Sequence, residues 1–233
     1  MTIRNFVSTM LLLLFLVGVA PIYAVNALHD ARFQLLPQPP SSDRFELYGG
    51  LNTYGQNQGF AIPVGVAMGV NDFLEIGGRL DFDVYDELVL LLDLGAKIRI
   101  SKVEAIQFDM RFGEGWGAVV EYSLFHALNR RFSMIYTIPR ISFFEGLNGD
   151  EPLIVEIGTL PRLRLFRPVD LLLNLTYSTS ITSPVRYSAF DIAVGTELKL
   201  INHSRLFAMM QFGIAGRHES SDFALRLGLI YEL

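Results

Sequence analysis

The residues of this 233-residue chain that could do chemistry are charged side chains set at every second position. Glu75, Arg79, Asp81 and Asp83 alternate with apolar residues, as do Asp93, Lys97 and Arg99, then Asp109 and Arg111, then Asp191, Glu197 and Lys199. Glu121, Glu156, Arg162, Arg164, Arg205, Arg217 and Arg226 extend the set, which is nearly balanced in sign. Gathered on one surface, such groups pair with one another, because a buried charge without a partner is costly. Some could instead line a water-filled path and select solutes by charge, and near balance then implies weak ion selectivity.

Other chemistry finds little support. The four histidines, His29, His126, His203 and His218, are scattered. The run His218-Glu219-Ser220 sets a base beside a nucleophile, but neighbours in a loop do not make a triad, so no catalytic residue is expected. The carboxylates mostly alternate with basic partners, so neither a metal site nor a cofactor is expected. With no cysteine there is no disulfide, no thiolate nucleophile, no Cys-based zinc site and no lipoprotein anchor. A formal net charge of -5 and a pI near 5.4 argue against nucleic acid as a partner.

The charges must be positioned by strands. Leu74, Ile76, Gly78, Leu80, Phe82 and Val84 interleave with Glu75, Gly77, Arg79, Asp81 and Asp83. Leu92 to Ile100 and Ile106 to Phe112 repeat the pattern, and so does Phe190 to Lys199. Successive side chains of a strand point to opposite faces, so this alternation puts apolar and charged residues on opposite surfaces of a sheet, which a helix cannot do. Weaker copies begin near Arg44, Phe60, Trp116, Arg130, Leu153, Asp170, Arg205 and Asp222. The total is about twelve strands, or ten if two weak segments fail to pair, each of roughly 9 to 12 residues, the length of a tilted strand crossing a bilayer. Short breaks at Asn71-Asp72, Ser101-Lys102, Ala127-Leu128, Arg167-Pro168 and Asn202-His203 fall at every second junction, as periplasmic turns should. The junctions between them are short as well, and an even strand number leaves both chain ends on one side.

The expected fold is therefore all-β, an antiparallel up-and-down transmembrane barrel over residues 44–233. Periodicity alone does not say which face is inside: a soluble barrel or sandwich buries its apolar face, whereas a membrane barrel turns that face to lipid. Three features favour the membrane. The first is a near-unbroken apolar face on about a dozen strands, in a chain of 51% hydrophobic content and mean hydropathy of +0.34 whose 18% charged residues leave no apolar run long enough for a transmembrane helix after the N-terminus. Aromatic residues lie near strand ends at Tyr54, Phe60, Tyr85, Trp116, Phe143, Phe144, Tyr187 and Tyr231, like interfacial girdles. The third is the N-terminus, where Arg4, the apolar Met10 to Ala20 and small residues up to Ala27 read as a signal peptide over residues 1–27. A Pro- and Ser-containing periplasmic linker over residues 28–43 follows, with Pro37, Pro39, Pro40, Ser41 and Ser42.

The last strand carries a resemblance. Arg226, Gly228, Tyr231 and the terminal Leu233 have the spacing of the assembly signal that ends bacterial outer-membrane β-barrels, with Leu where those more often have Phe. The resemblance implies recognition by the barrel-assembly machinery, a location in the Gram-negative outer membrane and contact with its lipid. Gly69 to Gly77 also resembles one hairpin of the hydrophobic-compound channels linked to phenol degradation. The expected function is a pore or channel for small solutes, with a structural or surface-interaction barrel of filled lumen as the alternative and an enzyme less favoured. The residues expected to line the lumen are Glu75, Arg79, Asp81, Asp93, Lys97, Arg99, Asp109, Arg111, Glu121, Asp191, Glu197 and Lys199.

Overall fold

A computed structural model of the chain describes residues 45–54, 60–84, 88–113, 115–144, 153–181, 188–200, 204–217 and 223–232. The segments expected to be a signal peptide and a linker, most of the loops opposite the short turns, His29, His203, His218 and Leu233 lie outside the described residues. Twelve strands are present: β1 (Phe45–Tyr54), β2 (Phe60–Asn71), β3 (Leu74–Val84), β4 (Leu88–Arg99), β5 (Glu104–Phe112) and β6 (Trp116–Ala127). They continue as β7 (Phe132–Phe144), β8 (Leu153–Phe166), β9 (Val169–Ser180), β10 (Ser188–Lys199), β11 (Ser204–Arg217) and β12 (Phe223–Glu232). Each pairs antiparallel with its sequence neighbours, and β12 closes onto β1 from Glu46 opposite Glu232 to Tyr54 opposite Ala224. Closure leaves no sheet edge with unsatisfied backbone groups.

The rim where β1 begins and β12 ends, the terminal rim, carries the short turns, and side chains set two of them. Asn71 Oδ1 accepts the backbone N–H groups of Phe73 (3.0 Å) and Leu74 (2.8 Å). Asn129 Oδ1 does the same for Arg131 (2.8 Å) and Phe132 (2.9 Å). An Asn side chain that bonds the backbone two residues on makes a ready turn. The second of these turns holds Arg130 and Arg131, so β7 starts at Phe132 rather than at Arg130 as the sequence suggests.

The strands also exceed the expected length in places: β7 has 13 residues, β8 and β11 have 14 each. All three strands contain bulges. In β7, Ile138 and Pro139 together face one residue on each neighbour, so the register steps between Thr137 and Arg140. In β11, Ile214 is the extra residue between Gly213 and Ala215. The third interruption is at Leu165 of β8. A bulge shifts the parity of everything beyond it. Hence odd residues, Ile135 and Thr137, are buried in the first part of β7, while Arg140 is buried after the bulge.

The apolar set faces outward. Val64, Val66, Met68, Leu90, Leu92, Leu94, Phe108, Met110, Val120, Val194 and Leu229 are exposed, while the small residues Gly65 and Ala67 between them are buried and Asp93 and Asp109 half-buried. Aromatics ring both ends of this surface: Phe60, Phe112, Trp116 and Phe212 at the far rim, Phe73, Phe166 and Tyr231 at the terminal rim. Trp116 packs against Phe143 with centroids 5.2 Å apart, and Phe212 against Phe223 at 5.3 Å. An apolar exterior with aromatic belts and a charged interior is the arrangement lipid demands, the inverse of a soluble barrel. The interior is also tightly notched. Tyr48, Phe207, Met209 and Asp109 lie over Gly65, Gly228, Gly195 and Gly95, each the residue directly opposite on the neighbouring strand. A Cβ on Gly65 would sit 2.3 Å from the Tyr48 ring, and one on Gly228 2.1 Å from the Phe207 ring. Each ring therefore has to leave its seat if the glycine gains a methyl. Gly65→Ala and Gly228→Ala are each expected to cost about 1–3 kcal/mol, read from urea unfolding in detergent micelles through the fluorescence of the single tryptophan.

Candidate functional site

The inward face divides into three zones. The first lies on the wall formed by β3, β4 and β5. Register sets Arg79 opposite Asp93 and Asp93 opposite Arg111. Asp93 Oδ2 accepts from Arg79 Nη2 and from Arg111 Nη2, both at 2.5 Å, and its Oδ1 accepts Arg111 Nε–H at 2.6 Å. Asp81 closes the cluster, 2.9 Å from Arg79 and 3.4 Å from Arg111. One carboxylate is thus clamped by two guanidinium groups, and charge-assisted bonds of this kind hold both orientation and energy.

The second zone is at the terminal rim. Glu197 and Asp170 are direct cross-strand neighbours, a like-charge pair that would repel. Arg162 resolves this by binding both, Asp170 through Nε (2.8 Å) and Nη2 and Glu197 at 3.0 Å. Arg164 adds a contact to Asp170 at 3.2 Å, and Arg205 reaches Glu46 at 3.1 Å across the intervening β12. Lys199 is exposed at the end of β10, and Arg99 donates to the backbone carbonyls of Ser101 (3.1 Å) and Asp72 (3.2 Å), tying two turns together at the rim.

The third zone is polar and lies on the far side of mid-barrel. Glu121 faces Arg140, with 3.7 Å between Oε2 and Nη1, and accepts a bond from Thr137 at 3.2 Å. Asp191 on β10 and Glu156 on β8 are buried on the two strands that flank β9, and Arg226 donates to Gln211 at 2.8 Å. Of the remaining residues expected in the lumen, Lys97 is buried between Glu75 and Gln107 in register, and Asp109 accepts from Gln107 Nε2 at 2.6 Å.

Between the second and third zones lies a layer the alternation rule did not foresee. Tyr48, Ile135, Leu160, Leu172, Ala193, Phe207, Met209 and Ile230 form one buried apolar cluster, with Phe125 packed against it. These residues come from β1 and from β6 to β12, so the layer runs around most of the inner wall. A signal was present in the sequence. The strands involved read as weak copies because both of their faces are apolar over part of their length, as at Leu171-Leu172-Leu173. Arg140 was missed for a different reason, since period two counted from Phe132 puts it outside, and Pro139, a residue that central strands take mainly at bulges, was the clue.

Solved structures share this architecture. An outer membrane channel from Pseudomonas putida F1 superposes with a TM-score of 0.63 at 10% identity, covering 88% of this chain and 99% of that one. The fold is that of an outer-membrane β-barrel. The NanC porin gives a TM-score of 0.59 at 12% identity, over 81% of this chain and 100% of its own. The translocator domain of the autotransporter NalP from Neisseria meningitidis gives 0.58 at 12% identity, over 92% and 100%. No family model and no curated protein matches the sequence. A channel, a porin and a translocator domain thus share one frame, and what an outer-membrane barrel does is decided by its interior. Among the described residues of this barrel His126 is the one histidine, exposed at the end of β6, and no group of three or more metal-ligating side chains occurs.

Proposed function

We propose that this barrel is a channel for small solutes in the bacterial outer membrane, reached by export through a cleaved signal peptide and inserted by the barrel-assembly machinery. The observation that carries this reading is the interior itself: more than a dozen ionisable and hydroxyl side chains face inward on a barrel whose outer surface is apolar. Paired charges of both signs make a polar path without strong preference for anions or cations. The apolar layer at Tyr48, Leu172 and Phe207 lies on the inner wall that a solute would have to pass. No catalytic step is assigned: Asp93 and Asp170 are held by arginines.

The test is single-channel recording from the heat-modifiable, folded chain in planar bilayers. Discrete steps are expected, with a reversal potential near zero in a salt gradient. An Asp109→Ala, Arg111→Ala double variant is expected to change the step size, since both groups occupy the β5 wall. Silence from protein shown to be folded would sink the open-channel reading and leave the filled barrel.

A further inference from the structure

The terminal rim is not evenly charged. Arg130 and Arg131 stand in the turn between β6 and β7, Arg164 lies in the last three residues of β8, and Arg167 stands in the turn after it. The two turns are adjacent: the backbone N–H of Arg164 donates to the carbonyl of Arg131 at 2.7 Å, one step beyond the register pair Phe132 and Leu163. Arg131 and Arg164 are therefore cross-strand neighbours of like charge, which is unfavourable unless an anion lies between them. The nearby acid is spoken for, since Asp170 already serves Arg162 and Arg164. Arg130, Arg131 and Arg167 are exposed, and among the described residues they have no ion-pair partner. Elsewhere on this rim the turns mix signs, with Asp72 after β2 and Lys102 before Glu104.

The same corner adjoins the lipid-facing surface. Leu128, Leu163, Leu165 and Phe166 are all exposed beside the arginines. Unpaired guanidinium groups above an apolar strip match a molecule with an anionic head and hydrocarbon tails. We propose that this corner binds the headgroup of an anionic glycerophospholipid, its phosphate held by Arg130, Arg131 and Arg167 and its chains lying along the apolar strip. The inference rests on the lipid-facing exterior and is independent of whether the lumen conducts.

The test folds the chain in detergent micelles holding equal amounts of dioleoyl phosphatidylglycerol and dioleoyl phosphatidylcholine, and reads the lipid retained after purification by mass spectrometry. The native chain is expected to enrich phosphatidylglycerol on the order of tenfold, and the Arg130→Gln, Arg131→Gln, Arg167→Gln variant to fall to the micelle ratio. Lys102→Gln, elsewhere on the same rim, should leave the enrichment intact, and the heat-shifted gel band certifies that each variant is folded. Equal enrichment in the native chain and the triple variant, or none in either, would overturn the proposal. So would displacement of phosphatidylglycerol by millimolar inorganic phosphate with no preference for the lipid, which would make this a site for free anions.

Discussion

Asp93→Ala is expected to destabilise the barrel by about 3 kcal/mol, the range seen when one partner is removed from a buried charge cluster. Arg79 and Arg111 both bind this carboxylate at 2.5 Å, and its loss leaves two guanidinium groups to share Asp81, which lies 3.4 Å from Arg111. Arg111→Ala should cost clearly less, because Asp93 keeps Arg79. The ordering of these two variants in urea unfolding distinguishes a clamped carboxylate from a set of interchangeable charges. A cost for Asp93→Ala below about 1 kcal/mol would show that water screens the wall as it does a surface pair. In that case the β3 to β5 side of the lumen is wide and hydrated.

A second large effect concerns three identical residues in a row. Leu172 is 1% exposed in the interior apolar layer, whereas Leu171 and Leu173 lie on the lipid-facing side of β9. Leu172→Ala removes apolar contact and leaves a hole that the surrounding strands cannot close, a combination that costs about 2–5 kcal/mol. Leu171→Ala loses the transfer contribution alone, since detergent or lipid fills the space, and should cost about 1–2 kcal/mol. If the two variants unfold at the same urea concentration, water or solute already occupies the interior at that level. The same variant is informative in the bilayer: if the layer is the narrowing, Leu172→Ala raises single-channel conductance while Leu171→Ala leaves it unchanged.

Much of the fold was legible from the residues. Strict alternation over β3, β4, β5 and β10 marked strands with two chemically distinct faces, and the short turns between strand pairs gave the up-and-down order. Asn71 and Asn129 supplied turns from their own side chains, with no help from distant parts of the chain. What alternation could not give was parity across a bulge. One extra residue at Ile138-Pro139 moves Arg140 from the lipid side to the lumen, and only the ladder with β6 and β8 fixes where that step falls. The interior partners were hidden for a similar reason. Arg162 bridges Asp170 and Glu197 from three different strands, a grouping that depends on register and stagger rather than on spacing along the chain.

The sequence by itself therefore determined that the chain forms amphipathic strands of bilayer-crossing length in sufficient number to close, because the two-residue period is a local property of the backbone. Alternation alone could not say which face lies inside, since it is the same for a soluble barrel and a membrane one; the near-unbroken apolar faces, the strand-end aromatics and the N-terminal segment pointed to the membrane. The closed barrel has that orientation: with the apolar side chains outward and the charges inward, Asp93 on β4 meets an arginine from each neighbouring strand. Nor could alternation show the apolar layer that crosses the inner wall. Leu171, Leu172 and Leu173 are the same residue three times over, and only their place on a curved, closed sheet assigns one to the interior and two to lipid.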